Sequence, residues 1–429
     1  VIQIFLKQQN LSKKVLIITY YWPPAGGPGV QRWLKLSNYL LENNVKPIIY
    51  TPSNPKYPSI DESLLKDVNS EIEVIKQPIF EPFGNLFSKI RKKGIPKKKD
   101  QSIFDKFLIY LRGNLFIPDS RIFWVNSSVD FLSKYILENN IESIITTGPP
   151  HSLHLIGLKL KSILNISWYA DFRDPWTKIN YHKELKLSLR SKKKHLELES
   201  KVLNSCDRII VTSNKLLKEY NKIAKTPISL ITNGFDYQKL QLELDEEFSI
   251  THIGRLLPER NPKILWNALK ELCIINKNFK NNLKINFIGN VSENLRNEMK
   301  TNDLENSVVY HNYIKYNDTI PYLIKSQILL LIESDDNESS YAIPAKIFEY
   351  INSGRPIIAI GPKDSEIKQI IDETKSGKYF LYSEYDELLS YLSNSYYQYE
   401  SKNLHSTSIN IDKYHRKNLA KKLSQIILD

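Results

Sequence analysis

The stretch from Tyr341 to Gly361 reads YAIPAKIFEYINSGRPIIAIG. It predicts a loop, a helix that opens at Pro344, a stop at Gly354 and an apolar strand over residues 356–360. Proline suits the first turn of a helix because its missing N–H would have no intrahelical partner there, and glycine suits the position after the last turn. A helix followed by a tight stop and an apolar strand is typical of a parallel α/β sheet.

The start of this helix is a candidate anion site. The first amides of a helix have no carbonyl partner and lie at the positive end of the helix dipole, so they attract phosphate groups. Lys346 and Glu349 stand in the first turns, where they could meet a phosphate and a sugar ring. A plain amphipathic helix would account for Ile347, Phe348 and Ile351, but it would leave the preceding loop unexplained.

Apolar runs that are typical of strands alternate with amphipathic helical patterns along nearly the whole chain. This alternation predicts parallel sheets with right-handed crossovers. Because the runs fall into two series, we predict an α/β fold with two Rossmann-like domains. The predicted strands are residues 15–20, 47–51, 143–147, 167–170, 208–212 and 228–232 in the first series, and 249–253, 284–288, 308–313, 328–332 and 356–360 in the second.

A length of 429 residues also favours two domains. A polar, acidic segment at residues 240–247 separates the two series. We place the N-terminal domain at residues 1–241, with an insertion near 53–126 where the alternation is lost, and the C-terminal domain at 242–405. Residues 406–429 are expected to form a C-terminal helix that crosses back to the N-terminal domain.

The composition, with 41% hydrophobic and 25% charged residues, is typical of a soluble globular protein. No apolar run reaches the roughly 18–20 residues that a membrane helix requires. The two cysteines, Cys206 and Cys273, fall in different predicted domains, so a disulfide is not expected. These features favour a reducing, cytoplasmic location.

The formal net charge is +13, and its densest cluster is the run RKKGIPKKK from Arg91 to Lys99. Four apolar residues precede it, namely Phe83, Leu86, Phe87 and Ile90. Apolar anchors beside a basic run suit an anionic membrane surface, where each cation adds about 1 kcal/mol, and a solvated loop is the alternative. No zinc-finger, KH or RNP signature indicates nucleic-acid binding. If the cluster docks, the protein is peripheral on the inner face of the plasma membrane.

A glycine-rich segment, YYWPPAGGPGVQR, follows the first predicted strand and ends at Arg32. Open α/β sheets bind ligands at the carboxyl ends of their strands, and Gly26 and Gly27 would let a ligand approach the backbone closely. The spacing differs from that of the dinucleotide fingerprint, and the prolines stiffen the segment. A Pro/Gly turn without a ligand is the alternative.

Two further segments follow predicted strands of the first series. The sequence TTGPPH ends at His151, and a lone histidine is more often structural, although this one stands at the ligand-binding edge. The sequence YADFRDPW carries Asp171, Arg173 and Asp174. These three side chains could neutralise one another in a buried network or hold acceptor hydroxyls. A carboxylate here could also accept the proton of an incoming hydroxyl.

The second series opens with the sequence HIGRLLPERNPK at residues 252–263. It carries three cations, Arg255, Arg260 and Lys263, which could also be ordinary surface charges on a loop. No Asp-x-Asp pair stands at a predicted strand end, and no His or Cys spacing fits a zinc site. Cationic side chains and a helix dipole are therefore expected in place of a metal.

Together these segments resemble the family-4 retaining glycosyltransferases, which have the GT-B fold of two Rossmann-like domains facing across a cleft. The similarity lies in the Pro-Pro-Ala-Gly-Gly loop, one residue shorter than usual, and in TTGPPH, DFRDPW, the Gly-Arg pair and PAKIFEY. It implies that Gly26 and Gly27 line the cleft on the donor side and that His151 contacts the transferred sugar. It also implies an acceptor role for Arg32, Arg173 and Asp174.

In the second domain the resemblance implies that cations bind the donor diphosphate and stabilise the leaving group. Arg255 matches the first such position, and Arg260 is preferred over Lys263 for the second. Lys346 would help to hold phosphate, and Glu349 would bind the ribose hydroxyls. The loop before the helix adds two donor-binding residues, Ala342 and Ile343. The predicted catalytic residues are His151, Asp171, Arg255 and Arg260.

One position departs from the family pattern. Many members carry two glutamates separated by seven residues, and the second of them maps onto Glu349. The first maps onto Tyr341, which cannot ionise usefully near neutral pH. Three nearby acids could replace it if the loop is rearranged, namely Asp335, Asp336 and Glu338.

We therefore predict a metal-independent retaining glycosyltransferase. It would move a sugar from a nucleoside diphosphate to a glycan or polyprenyl-linked acceptor in bacterial surface polysaccharide assembly. The nucleotide sugar is a substrate, and no cofactor is expected. A nucleotide-sugar 2-epimerase of GT-B fold and a non-catalytic subunit that binds nucleotide sugars are the alternatives.

Overall fold

The computed structural model describes residues 12–81, 103–179, 182, 185–237, 241–312, 314–335 and 341–429. The basic run from Arg91 to Lys99 lies outside these residues, as do Asp336 and Glu338. The described residues divide into two compact units. One lies within Val1–Thr232 together with Arg416–Asp429, and the other lies within Asn233–His415.

The first unit is a seven-stranded parallel sheet. Its strands are β1 (Lys13–Ile18), β2 (Val45–Pro52), β3 (Glu73–Gln77), β4 (Ser143–Gly148), β5 (Ser167–Phe172), β6 (Arg208–Val211) and β7 (Ile228–Leu230). They pair in the order β3-β2-β1-β4-β5-β6-β7. The helices are α1 (Pro28–Leu41), α2 (Ile103–Leu115), α3 (Trp124–Glu138), α4 (Ser152–Ile163), α5 (Leu189–Leu203) and α6 (Asn214–Tyr220). The strand order reverses between β1 and β4, so the loops after these strands meet at the switch point where open sheets bind ligands.

The second unit is a six-stranded parallel sheet in the order β10-β9-β8-β11-β12-β13. Its strands are β8 (Phe248–Ile253), β9 (Leu283–Ile288), β10 (Val308–His311), β11 (Ile328–Ile332), β12 (Ile357–Gly361) and β13 (Gly377–Leu381). Its helices are α7 (Lys263–Ile275), α8 (Lys277–Asn282), α9 (Glu293–Thr301), α10 (Tyr316–Lys325), α11 (Lys346–Asn352), α12 (Glu366–Thr374) and α13 (Tyr385–Glu400). The switch point lies between β8 and β11. The prediction of two Rossmann-like α/β domains is confirmed.

The core of the first unit lies on both faces of its sheet. Successive residues of a strand point to opposite faces, so Leu16 and Ile18 join an apolar core with α3 and α4, and Val15 and Ile17 join another with α1. The last helix, α14 (Arg416–Leu428), contributes Leu423 to the second of these cores. None of the helices within the described residues is long and apolar enough to cross a membrane.

The stretch from Tyr341 to Gly361 forms a loop, α11 and β12. The first turn starts near the predicted position, because the amide of Ile347 donates to the carbonyl of Pro344 at 3.1 Å. Gly354 has a φ of +71°, a left-handed conformation that side chains other than glycine rarely adopt. The chain therefore leaves the helix at Gly354 and enters the buried strand β12, whose five residues are all buried.

Two strands were absent from the predicted series. β3 lies within the segment 53–126, which was predicted to be an insertion, and β13 follows α12. Both are edge strands with one neighbour each, β3 beside β2 and β13 beside β12. Edge strands are paired on one side only and often carry charged or exposed residues, so their apolar pattern is weaker than that of a central strand.

Candidate functional site

The glycine-rich loop after β1 is held by the protein itself. The amide of Gly26 donates to the carbonyl of Ser59 at 2.9 Å, and Ala25 forms an isolated antiparallel bridge with Ile60. Gly27, with a φ of +93°, immediately precedes α1. The amide of Gly26 is therefore already bonded, and the shape of the loop is set by these internal contacts.

Asp171, near the end of β5, is buried, and both of its carboxylate oxygens accept hydrogen bonds. Its carboxylate forms a salt bridge of 2.8 Å with Arg32 and accepts hydrogen bonds from Trp33 Nε1 at 2.9 Å and from Thr147 Oγ1 at 2.8 Å. Arg32 also donates to the carbonyl of Thr232 at 2.8 Å. Burial alone would raise the pKa of Asp171, but the charge and hydrogen bonds of Arg32, the hydrogen bond from Thr147 and the charge of Arg173 together outweigh it and lower that pKa. The pair thus ties α1 to β4 and β5, and the carboxylate has little capacity left to accept a substrate proton.

Arg173 joins the loops after β1 and β4. Its guanidinium donates to the carbonyls of Gly148 at 3.2 Å and Gly29 at 3.1 Å, and also to the carbonyl of Pro149. A Cβ atom at Gly29 would lie only 2.8 Å from this guanidinium, so a larger residue there would push the Arg173 side chain out of this position. Arg173 therefore braces the two loops that meet at the switch point.

Asp174 contrasts with Asp171. It is half-buried, and no hydrogen bond or salt bridge of its carboxylate is found within the described part of the chain. Burial raises the pKa of Asp174, and the neighbouring charge of Arg173 opposes this change only in part. Asp174 is therefore the carboxylate of this loop that is better suited to accept a proton.

His151 precedes α4 and is buried. Its ring stacks on that of Trp176, with centroids 5.0 Å apart, and Asp119 anchors the start of α4 by accepting from the amide of Ser152 at 2.9 Å. Neither ring nitrogen of His151 has a hydrogen-bond partner among the described residues. Burial, together with the neighbouring His154, holds the pKa of His151 well below its usual range. The imidazole is therefore neutral, and both of its nitrogens are buried without a hydrogen-bond partner among the described residues.

Three buried histidines near Trp176 were not predicted from the sequence. Trp176 Nε1 donates to His195 Nδ1 at 3.1 Å, and the rings of His195 and His182 lie 4.7 Å apart. His154 bonds Thr146 Oγ1 through Nδ1 at 2.8 Å. Burial lowers the pKa of each of these three histidines. These contacts join residues from different strands, helices and loops, and the periodicity within one segment does not indicate them.

In the second unit, Lys346 lies at the switch point of the sheet. Its Nζ donates to the carbonyl of Ile253, the last residue of β8, at 2.5 Å. The next residue, Gly254, has a φ of +117°, and a Cβ atom there would lie 3.0 Å from that Nζ. Burial, and secondly the charge of Arg260, lower the pKa of Lys346 to about 7. Lys346 and Arg260 are therefore two cations close enough to repel each other.

The other predicted cations of this unit, Arg255 and Lys263, are exposed. Within the described ranges, no carboxylate forms a salt bridge with these two residues, with Arg260 or with Lys346. No group of three or more His, Cys, Asp or Glu side chains in the described residues could hold a metal ion. The segment after β8 and the start of α11 therefore carry cationic side chains that have no carboxylate partner among the described residues.

Glu349 accepts a hydrogen bond from the hydroxyl of Tyr316 at 2.5 Å. The next residue, Tyr350, accepts from the amide of Ile253 at 3.0 Å, which fixes α11 against the end of β8. Tyr341, which stands where the family pattern has a glutamate, is half-buried. Tyr316 lies 33 positions before Glu349 and was not predicted as a site residue from the sequence.

The remaining predicted donor residues lie in the loop before α11. Ala342 is half-buried, and Ile343 packs into the apolar core, so its side chain faces away from solvent. Asp335 is exposed. Glu333, which follows β11 directly, is buried and accepts hydrogen bonds from Tyr379 at 2.9 Å and from Ser365. Glu333 is thus an unpredicted carboxylate that is already used within the protein.

Comparisons with known proteins identify the fold. The chain matches no protein-family model. It also matches none of the curated proteins. Solved structures do match over nearly its full length, among them sucrose-phosphate synthase from Thermosynechococcus elongatus. That likeness has a TM-score of 0.64 at 13% identity and covers 97% of this chain and 98% of the other.

Two further structures match over a similar length. The Anabaena protein Alr3699/HepE in complex with UDP-glucose has a TM-score of 0.62 at 12% identity, covering 97% of this chain and 99% of that one. WaaG, described as a glycosyltransferase involved in lipopolysaccharide biosynthesis, has a TM-score of 0.54 at 10% identity, covering 96% and 95%. The protein therefore has the GT-B fold of these glycosyltransferases.

Proposed function

We propose that the protein is a retaining glycosyltransferase of the family-4 type. It would move a sugar from a nucleoside diphosphate to a glycan or polyprenyl-linked acceptor in bacterial surface polysaccharide assembly. The observation that carries the proposal is the pair of cations, Lys346 and Arg260, at the switch point of the second sheet. No carboxylate among the described residues forms a salt bridge with this pair. A bound diphosphate would provide the negative charge that neutralises it.

Electrostatics favour an anion at this place. Two neighbouring cations disfavour the charged form of each other, and the pKa of Lys346 is lowered in part for this reason. A diphosphate bound beside them would reverse the effect and favour protonated Lys346. Arg255 adds a third cation nearby in the chain, and Glu349 offers a carboxylate for the ribose hydroxyls.

In the proposed reaction, the acceptor oxygen forms a bond to the anomeric carbon on the face from which the diphosphate departs. The bond from that carbon to the β-phosphate oxygen breaks, and its electron pair stays with the phosphate. The hydroxyl proton passes to the departing phosphate or to a carboxylate. Arg255, Arg260 and Lys346 stabilise the charge that develops on the phosphate. The mechanism uses no covalent nucleophile, and we assign none.

The first unit would provide the acceptor side. The family resemblance assigns His151 to the transferred sugar, and this contact would require its ring, which is buried against Trp176, to become accessible. We assign the role of proton acceptor to Asp174 rather than to Asp171. Asp171 forms a salt bridge with Arg32, whereas burial raises the pKa of Asp174. Arg32 and Arg173 hold the loops of this unit in position through their hydrogen bonds. Binding of the acceptor would be a second role for these two residues.

Two of the structural neighbours support the substrate classes. The Anabaena structure contains UDP-glucose, and WaaG is described as acting in lipopolysaccharide biosynthesis. UDP-sugars are therefore the first donors to test. A non-catalytic subunit is the second candidate, because Tyr341 leaves the position of the usual sugar-contacting glutamate without a carboxylate.

The test is a panel of UDP-, GDP- and ADP-sugars, each with and without a polyprenyl-diphosphate-linked acceptor. We expect one donor to be consumed only with acceptor, and NMR of the product to give the anomeric configuration of the donor. An altered sugar formed without acceptor would indicate the epimerase. Calorimetric binding without turnover would indicate the binding subunit, and failure to bind any nucleotide sugar would overturn the proposal.

A further inference from the structure

Asp174 lies in a loop whose backbone is held on both sides of it. On the preceding side, the amide of Arg173 donates to the carbonyl of Gly148 at 3.1 Å, and the carbonyl of Arg173 accepts from Thr212 Oγ1 at 2.9 Å. Arg173 is thereby fixed between the ends of β4 and β6. The carboxylate of Asp174 has no hydrogen bond or salt bridge of its own within the described part of the chain, so its position depends on this backbone.

Two side chains from neighbouring helices hold the backbone that follows Asp174. The amide of Trp176 donates to the hydroxyl oxygen of Tyr220 at 3.3 Å, and the amide of Thr177 donates to Glu199 Oε1 at 3.3 Å. The hydroxyl of Thr177 donates to Glu199 Oε2. Tyr220 in turn donates its hydroxyl proton to Glu199 Oε1 at 3.3 Å, so the two side chains act as one connected network.

Glu199, on α5, is a buried carboxylate that no Lys or Arg among the described residues pairs with in a salt bridge. Burial raises its pKa, although its hydrogen bonds oppose this change. A buried acid without a paired cation is less stable than an apolar side chain of similar size. The hydrogen bonds that Glu199 accepts from the described residues come from the loop or from Tyr220. Holding the loop is therefore a better account of Glu199 than stabilising the core.

We propose that Glu199 and Tyr220 are positioning residues for the transfer reaction, because they hold the loop that places the Asp174 carboxylate beside the acceptor hydroxyl. This role rests on the proposed function, in which Asp174 accepts the proton of that hydroxyl. Proton transfer requires the two oxygens to come within about 2.6–3.2 Å, and a displacement of about 1 Å can lower the rate roughly 100-fold. Both residues are buried and act through the loop, so neither is assigned a contact with substrate.

Hydrogen exchange at the amides of Trp176 and Thr177, measured by mass spectrometry, tests the contacts without any substrate. Tyr220→Phe removes the hydroxyl oxygen that accepts from Trp176, and Glu199→Ala removes the acceptor of the Thr177 amide. In each variant the affected amide should exchange roughly 2- to 12-fold faster, the range that corresponds to the loss of one hydrogen bond. Glu199→Gln is the conservative variant, because its carboxamide oxygen still accepts from the Thr177 amide and the Thr177 hydroxyl can turn to accept from its nitrogen. It should exchange like the wild type.

Tyr50→Phe is the matched control. The hydroxyl of Tyr50 is buried in the same unit and donates to Ser128 Oγ at 2.9 Å, with no hydrogen bond to the loop of Asp174 among the described residues. The control therefore removes an equivalent buried hydrogen bond from another part of the unit. It should leave kcat and the exchange of both loop amides within about twofold of the wild type.

The kinetic test uses the donor and acceptor that the wild type accepts. Glu199→Ala should lower kcat about 10- to 100-fold and Tyr220→Phe about 3- to 10-fold, while the affinity for UDP stays within about twofold. Glu199→Gln should keep kcat within about threefold of the wild type. In the Asp174→Asn background, Glu199→Ala should lower kcat by no more than a further factor of about three, because it acts through a carboxylate that is already absent.

The outcomes separate this role from the proposed function. Unchanged exchange at both amides would overturn the inference whatever the activity. Faster exchange with unchanged kcat, or full additivity with Asp174→Asn, would reduce the pair to a structural network and would also overturn it. If Glu199→Ala does not fold, Tyr220→Phe, which removes a single oxygen, carries the same tests. A wild type that transfers no sugar would overturn the proposed function, and the positioning role with it, even where exchange shows that the pair holds the loop.

Discussion

Lys346 Nζ lies 2.5 Å from the carbonyl oxygen of Ile253, so α11 reaches back to the strand that precedes the predicted diphosphate loop. The contact holds the amine against a backbone dipole, with no salt bridge to a carboxylate among the described residues. Because burial and the charge of Arg260 lower the pKa of Lys346 to about 7, the amine is partly neutral at physiological pH. An anion that binds here should therefore take up a proton.

The affinity for UDP should fall as the pH rises above 7. The folded pKa of Lys346 is below its ordinary value, so raising the pH removes the proton from the free protein first. Binding UDP then requires one proton from solvent, and the linkage predicts up to about a tenfold loss of affinity per pH unit until the pKa of the bound state is reached. Phosphate groups are already ionised in this range, since their second pKa is about 6.

Calorimetry between pH 7 and 9, in buffers of different ionisation enthalpy, measures both the affinity and the protons taken up. The matched control is Lys346→Arg, which keeps the positive charge but stays protonated at every pH tested. Its affinity should depend much less on pH. A wild-type affinity that is flat from pH 7 to 9 would contradict the assigned role of Lys346.

Glu349→Ala should weaken UDP binding by about 10- to 150-fold, the range that corresponds to a hydrogen bond to a charged group. Tyr316→Phe removes only the hydroxyl that donates to Glu349 at 2.5 Å, so the carboxylate stays but is less well held. We expect a smaller loss than for Glu349→Ala. Titrations with UDP and with inorganic pyrophosphate separate the contacts to the ribose from the contacts to the diphosphate, because pyrophosphate lacks ribose. Equal losses for both ligands would argue against ribose recognition by Glu349.

Asp171→Ala should lower the free energy of unfolding by about 3–5 kcal/mol, because it leaves Arg32 charged and buried without its partner. Chemical denaturation measures this change. Asp372→Ala is the control, since Asp372 pairs with Lys368 at the surface and should cost at most about 0.5 kcal/mol. A loss below 1 kcal/mol for Asp171→Ala would show that the pair does not hold the first unit together.

Asp174→Asn should lower kcat by at least about tenfold while the affinity for UDP stays the same. The variant keeps the shape of the side chain, and the carboxylate it replaces has no hydrogen bond or salt bridge among the described residues, so the fold should be little affected. The raised pKa of Asp174 also predicts that kcat falls with decreasing pH below neutrality in the wild type, as the carboxylate becomes protonated. An unchanged kcat in Asp174→Asn would exclude it as the proton acceptor.

The architecture was accessible from the sequence because its central strands are apolar and fully buried. All five residues of β11, for example, are buried, as expected for the middle of a parallel sheet. β13 was missed because two of its five residues, Gly377 and Lys378, break the apolar pattern at a sheet edge. Arg355 reads as an ordinary surface cation after Gly354, yet it is buried and donates to the carbonyls of Ser326 and Leu404.

The sequence predicted which loops carry the candidate sites, because parallel strands end at the same edge of a sheet. It did not predict the pairings within those loops. Asp171 could be read as a base or as a member of a buried network, and only its salt bridge to Arg32, 139 positions away, favours the network. The hydrogen bond between Tyr316 and Glu349 likewise joins residues that are 33 positions apart. Side-chain partners depend on tertiary packing, which periodicity along the chain does not report.

Arg260 and Lys263 were alternative candidates for the second diphosphate-binding cation, and the structure makes them separable. The charge of Arg260 acts on Lys346, whereas Lys263 is exposed at the start of α7. Arg260→Ala should therefore weaken UDP binding by about tenfold or more, and it should raise the pKa of Lys346 by removing a neighbouring cation. The pH at which affinity begins to fall should then move upward. Lys263→Ala should change neither quantity by more than about twofold, and a larger effect of Lys263→Ala than of Arg260→Ala would reverse the assignment.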